Sequence, residues 1–314
     1  MQTDFSFSLQ PGFQKMDPVI NYTNCPICGA ATIREALTAT DYTVSGKAFG
    51  IWECSSCTLR FTQAVPDEAH IGPYYKADSY ISHTNTSKGL VNRLYHTVRN
   101  ITLRNKRKLL QSTTNRSTGQ LLEIGAGTGT FASFMKRSGW QVIGLEPDPA
   151  ARQIAKDVNG IALLDTSELF ELPAEHFDVI TMWHVLEHVH RLHDYIDQLK
   201  RLLKPGGVLL IAVPNYTSFD AQLYGRYWAA YDVPRHLYHF SPASMRTLLK
   251  QHSLRLETIK PMWFDSFYVS MLSEKYKNGK ASLVKGFING LRSNLKAGKG
   301  NNARCSSLIY VIRP

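Results

Sequence analysis

The chain has 314 residues, 43% of them hydrophobic and 19% charged, with a formal net charge of +11 at pH 7. That length suits one sizeable core plus a smaller module. No run approaches the ~18 apolar residues of a membrane helix, the start MQTDFSFSLQ has neither the basic nor the apolar part of a signal peptide, and four of the five cysteines fall in two close pairs rather than a disulfide framework, so the expectation is a soluble, cytoplasmic protein without a membrane span.

The charge is unevenly placed. Residues 1–120 carry +5, residues 121–240 carry −4, and residues 241–314, with thirteen basic side chains against three acidic, carry +10. A basic excess there suits an anionic partner such as nucleic acid, a phospholipid surface or a phosphorylated substrate. The plainer account is a solvated, lysine-rich helical insertion.

Residues 1–20 read as a flexible lead-in. Residues 21–66 hold NCPICG and, 25 residues after Cys28, ECSSC. Cys-x-x-Cys twice is the sequence form of a four-thiolate zinc site, so Cys25, Cys28, Cys54 and Cys57 are expected to hold a structural zinc that supplies folding energy to a piece with little core of its own. Residues 67–114 form an aromatic connector, with Tyr74, Tyr75, Tyr80 and His83, and then a helix over about 88–111 with an apolar stripe of Leu90, Leu94, Val98, Ile101 and Leu109.

From residue 115 strands and helices alternate. Strands are expected at 121–124, 141–146, 161–164, 177–183 and 208–213, with helices at 130–138, from Pro149 to about 158, and through Leu192 to Leu203. The strands are mostly apolar rather than alternating, as for parallel strands covered on both faces. An aromatic, charged loop follows at 216–240, then a helix from Ser241 to about 252, a sixth strand at 254–259, a basic insertion at about 264–300, and a last strand at 307–312 expected to form an antiparallel edge hairpin with the sixth. The fold class is therefore α/β, a Rossmann-like doubly wound sheet with a small N-terminal zinc ribbon.

The first strand of this region runs into Gly125, Gly127 and Gly129 at a strand–turn–helix joint, where a ligand approaches the backbone. A dinucleotide site wants Gly-x-Gly-x-x-Gly or Ala, and Thr130 stands at the sixth position. That leans toward S-adenosylmethionine, which brings no phosphate. Glu146, ending the second strand, suits a ribose diol of either ligand.

LEIGAGTGTF, GLEPDPAA, FDVITMWHVLEHV, LLKPGGVLLIAVPN and DVPRHLYHFSP together resemble the class I S-adenosylmethionine-dependent methyltransferases, nearest to the UbiG-like branch whose members often carry an N-terminal zinc-binding ribbon. The resemblance covers roughly residues 115–260. It implies that Glu123, Gly125, Gly127 and Gly129 line the methionine end of the donor, that Glu146 holds the ribose with Asp148 nearby, that Asp165 or Thr166 meets the adenine, that Trp183 and His184 border the sulfonium, and that Tyr80 caps the site.

Methyl transfer from a sulfonium is an in-line displacement, so alignment carries much of it and a histidine base assists a hydroxyl or acidic carbon. Six histidines, at 184, 188, 190, 193, 236 and 239, fall near the expected mouth, and His184 and His188 are the expected bases. Arg235, His236 and Tyr227, in the loop after the fifth strand, are the expected acceptor contacts; the alternative for Arg235 is an ion pair with Asp232. The expected acceptor is a hydroxyl, carbon or amine of a small molecule, sugar or glycoconjugate. The other readings are an RNA-modifying enzyme using the basic C-terminal segment, a cofactor-binding scaffold, and an NAD-dependent oxidoreductase.

Overall fold

The computed structural model describes residues 18–76, 90–280, 282–297 and 304–314. The first part is all β: β1 (Val19–Ile20), β2 (Ile33–Thr40), β3 (Ala48–Cys54), β4 (Arg60–Thr62) and β5 (Val65–Pro66). β2, β3 and β4 form an antiparallel meander, and β1 pairs with β5.

The larger part runs α1 (Leu90–Thr114), β6 (Gln120–Ile124), α2 (Thr130–Arg137), β7 (Gln141–Leu145), α3 (Pro149–Asn159), β8 (Phe177–Trp183), α4 (Leu192–Leu202), β9 (Leu203–Pro214), α5 (Phe219–Tyr224), β10 (Tyr238–His239), α6 (Pro242–Gln251), β11 (Arg255–Pro261), α7 (Asp265–Asn278), α8 (Leu283–Lys296) and β12 (Ser307–Arg313). The sheet order is β11-β12-β9-β8-β6-β7. β7, β6, β8 and β9 are parallel, and β12 runs antiparallel to both neighbours.

Alternate residues of these strands serve opposite faces. Leu122, Ile180 and Leu209 pack with Ile196 and Leu199 of α4 and Leu248 of α6. Leu121, Val179 and Leu210 pack with Leu110 of α1 and Phe131 and Met135 of α2. The helical stripe is shifted from the expected one, since Ile101 is 40% exposed while Leu110 is fully buried.

One expectation is corrected and another holds. Residues 161–164 form no strand but a single bridge, Leu145 to Leu164, because Asp165 at once turns the chain into a one-turn helix, where it caps the Ser167 N–H. The sixth and last strands form the expected antiparallel edge hairpin, with β11 outermost. β12 inserts between β9 and β11, and its first six residues are buried, while β11 alternates exposed and covered residues as an edge strand should.

The ribbon is welded to the sheet domain rather than tethered. β10, from the loop after β9, extends the ribbon meander beside β4, pairing Tyr238 with Phe61 and His239 with Arg60. His190 Nε2 donates to the Pro66 carbonyl (3.0 Å) and His193 Nε2 to the Pro26 carbonyl (2.9 Å). Cys25, Ile27, Leu59 and Phe61 belong to the same apolar cluster as Leu122 and Ile180. Among the described residues no helix is long and apolar enough to cross a membrane.

Candidate cofactor and acceptor site

β6 ends in three glycines with left-handed φ of 69°, 55° and 72° at Gly125, Gly127 and Gly129. They do different jobs. A Cβ on Gly125 would stand 2.3 Å from Val185 Cγ2, and one on Gly129 would press on Ile161 and Ala155. These two let backbones approach. A Cβ on Gly127 would meet nothing within 4 Å, so this glycine opens onto space at the strand ends.

Glu146, the residue after β7, is turned into that space and is 9% exposed. Its Oε2 accepts from Gly127 N (2.7 Å) and its Oε1 from Asp148 N (3.1 Å). Burial raises its carboxyl pKa, and these two N–H groups restrain the rise. Asp148 caps α3 by accepting from Ala150 N, at 2.9 Å. Arg152 ties the two strand ends together, donating to the Glu146 carbonyl (2.6 Å) and to Asp165 Oδ2 (2.7 Å). Asp165 Oδ1 caps Ser167 N, and Thr166 begins the one-turn helix Thr166–Phe170.

Beneath the cradle Glu123 is 3% exposed, and its Oε2 has no hydrogen-bond partner among the described residues. Burial pushes its carboxyl up to about 8 against the opposing pull of Lys106. Lys106, from α1, is itself pushed down to about 8 by burial. Its ammonium stands 4.1 Å over the Trp183 ring and 5.6 Å over Phe131. An aromatic wall, a carboxyl and an open glycine make a donor set that suits a cationic nucleoside with a free diol.

On the acceptor side, His184 follows Trp183 with φ 57°. Its Nε2 meets Asp265 Oδ2 at 2.6 Å and its Nδ1 meets Glu187 Oε1 at 3.3 Å. Burial would lower its pKa, but the Asp265 carboxylate, helped by Glu187, lifts it to about 10. The Asp265 carboxylate thus favours the imidazolium form of His184, which has no lone pair for the expected role as a base.

His188 is different. Its Nδ1 lies 3.0 Å from the Arg235 carbonyl and 3.0 Å from Tyr75 Oη. A carbonyl only accepts, so this network assigns the proton to Nδ1 and leaves Nε2 a lone pair. His236 packs edge-on to it at 4.6 Å, with its own Nδ1 on the Ala230 carbonyl (2.9 Å), and burial holds its pKa far below the usual range, so it stays neutral. Ligand atoms of Glu187, His188 and His236 lie within 4.8 Å of one another.

Arg235 is turned away from any acceptor. It is fully buried, and its guanidinium is spent on Asp232 (2.5 and 3.0 Å), Asp41 (3.2 Å) and the Tyr74 carbonyl (2.8 Å). The expected substrate contact is corrected to an ion-pair strut joining the ribbon to the loop. Tyr227 lies on an outer shelf, taking Arg226 on its hydroxyl (2.9 Å) and facing Tyr42 at 6.4 Å.

In the ribbon, Cys25 and Cys57 sulfurs stand 3.5 Å apart, as do Cys28 and Cys54, and all four lie within 4.8 Å of one another. Sulfurs bound to a zinc at ~2.3 Å stand roughly 3.8 Å apart, so the set fits a tetrahedral metal. The hydrogen bond from Cys57 draws the Cys25 thiol down to about 5.

A family model described as a methyltransferase domain matches residues 96–259, just over half of the chain. The chain belongs to this family of S-adenosylmethionine-dependent methyltransferases. Curated relatives include a ubiquinone biosynthesis O-methyltransferase of Rhodopseudomonas palustris, 29% identical over 147 residues (45% of this chain, 58% of that one), and one of Cereibacter sphaeroides, 30% identical over 158 residues (46% and 64%). The chain thus spans about six-tenths of the length of the curated relatives it matches. Among solved structures, a S-adenosylmethionine-dependent methyltransferase from Thermotoga maritima is 19% identical at a TM-score of 0.46, covering 71% of this chain and 94% of that one. Geranyl diphosphate C-methyltransferase from Streptomyces coelicolor is 15% identical at 0.45, covering 67% and 79%.

Within this methyltransferase, Glu123, Gly125, Gly127, Gly129, Glu146 and Trp183 fall at or just beyond the carboxyl ends of β6, β7 and β8, with Asp148 at the start of α3 and Asp165 and Thr166 at the start of the one-turn helix. Tyr80 lies outside the described residues. The connector residue that reaches the acceptor side is Tyr75. Of the six histidines, His190 and His193 latch the ribbon, and His239, held neutral by burial at about 3, bonds Thr62 Oγ1 at 3.1 Å. Sequence reasoning did not single out Lys106, Glu187 or Asp265. Glu187 stood in the quoted FDVITMWHVLEHV motif; the other two arrive from distant elements.

Proposed function

We propose that this methyltransferase moves a methyl group from S-adenosylmethionine to a hydroxyl of a small molecule, using His188 as the base, and that its ribbon holds a structural zinc. The observation that carries the reading is the pairing of an open Gly127 with the buried Glu146 carboxylate at the carboxyl ends of β6 and β7. Bound S-adenosylmethionine supplies a methyl made electrophilic by its sulfonium. Glu146 offers its remaining lone pairs to the ribose diol, Glu123 and Trp183 accommodate the methionine end, and His188 Nε2 takes the acceptor proton. The four ribbon cysteines fill a closed coordination shell, so the zinc orders the fold and has no open position for chemistry.

The relatives named for ubiquinone biosynthesis support oxygen as the acceptor atom, with carbon or nitrogen as the outcomes that would revise it. A glycoconjugate acceptor has no separate support. The relatives named for ubiquinone biosynthesis lend the RNA reading no support.

The test is a turnover screen against pools of hydroxylated small molecules, with His188→Asn beside the wild type. The expected result is donor consumption that depends on a hydroxylated acceptor and falls about 100-fold in the variant. Full turnover in His188→Asn would remove it as the base. No binding of S-adenosylmethionine by calorimetry would end the reading altogether.

A further inference from the structure

The hairpin of α7 and α8 lies outside the matched family region, and its outer face is apolar. On α8, Val284, Phe287, Ile288, Leu291 and Leu295 are 70%, 59%, 42%, 43% and 76% exposed. At ~100° per residue they fall within one stripe roughly 100° wide. The opposite side of the helix is spent on the protein. Gly286 and Gly290 let α8 press on the backbone of Met271 and Phe267, and Ser293 donates to Asp220 Oδ1 at 2.6 Å. The stripe is thus held rigidly outward.

Charge on the hairpin is of one sign. Lys275, Lys277, Lys280, Lys285, Arg292 and Lys296 are exposed. The two acids of these helices are engaged inward, Asp265 on His184 and Glu274 on Tyr224, at 2.6 and 3.1 Å. Lys285, Arg292 and Lys296 project along one flank of the stripe by the same helical angles. Apolar side chains bordered by cations, with no exposed carboxylate on either described helix, match an interface that is apolar inside and anionic at its rim.

We infer that α8 docks this enzyme on an anionic phospholipid bilayer, its apolar stripe in the headgroup boundary and its cations on the phosphates. Nucleic acid could stack on Phe287 alone and would leave Val284, Ile288, Leu291 and Leu295 in water. A second copy docked stripe to stripe would crowd cation against cation. Asp265, the first residue of α7, holds His184 beside the candidate donor site, so docking sets that site close to the lipid surface. Binding is independent of the proposed methyl acceptor.

The test is co-sedimentation of the full chain with vesicles of phosphatidylcholine alone or mixed equally with phosphatidylglycerol. Binding is expected to the mixed vesicles, to weaken with added salt, and to drop about tenfold both in Leu291→Gln/Leu295→Gln and in Lys285→Glu/Arg292→Glu. Those positions are exposed, and circular dichroism checks the fold. No binding to mixed vesicles at low salt would overturn the inference, as would wild-type binding by both variants. A wild-type dimer that the leucine variant dissociates would overturn it in favour of a second copy.

Discussion

His184 Nε2 stands 2.6 Å from Asp265 Oδ2, joining the residue after β8 to the first residue of the inserted hairpin. The pair crosses 81 residues of sequence and couples a site residue to a segment outside the matched family region.

The first prediction follows from that pair. Its histidine is raised from an unfolded value near ~6.5 to about 10, so it stabilises the fold fully below pH ~6.5 and loses that contribution as pH rises through about 10. The side chain is 32% exposed, and screening leaves a contribution on the order of 1 kcal/mol. Asp265→Asn should lower stability at pH 7 and flatten its decline toward pH 10. Denaturant melts at both pH values check this; parallel wild-type and variant pH curves would refute it.

The second prediction concerns Glu123 and Lys106. As pH rises through about 8, Glu123 gains negative charge and Lys106 loses positive charge. Both changes favour a cationic ligand. S-adenosylmethionine should therefore tighten several-fold relative to the uncharged S-adenosylhomocysteine between pH 7 and pH 9, and Glu123→Gln should blunt the change. Calorimetric titrations of the two ligands give the ratio, and a pH-independent ratio would refute the pairing.

Arg235 separates structure from substrate binding. Truncation to Ala leaves Asp41 and Asp232 without their cation in a buried setting, a loss of about 3–5 kcal/mol. Stability and soluble yield should fall together, while material that still folds should keep its KM for the acceptor. A raised KM at wild-type stability would instead return Arg235 to the acceptor.

Much of the fold was legible because parallel strands buried on both faces are mostly apolar rather than alternating, as in β8 and in Val208–Val213 of β9. The cradle was legible because glycines at a strand end are local in sequence. Residues 161–164 misled because Ile161 and Leu163 are inward-facing in a stretch that closes with one bridge. The place of β12 was hidden because pairing with β9 is a contact between residues about a hundred positions apart. Local patterning likewise does not show that the Asp265 carboxylate stands against His184, that Lys106 leans on Trp183, or that Arg235 is enclosed by the ribbon's Asp41.

The last prediction concerns the ribbon. If Cys25, Cys28, Cys54 and Cys57 hold zinc, elemental analysis should give one zinc per chain, and Cys54→Ser should lose it. Because β10 completes the ribbon sheet and Arg60 reaches Tyr231 Oη at 2.9 Å, the damage should spread into the loop that positions His188. Chelation should therefore lower Tm and acceptor turnover together, while donor binding at the β6 glycines persists, since that cradle draws no ligand from the ribbon. A metal-free chain with unchanged melting and turnover would show that the four thiols hold the ribbon without a metal.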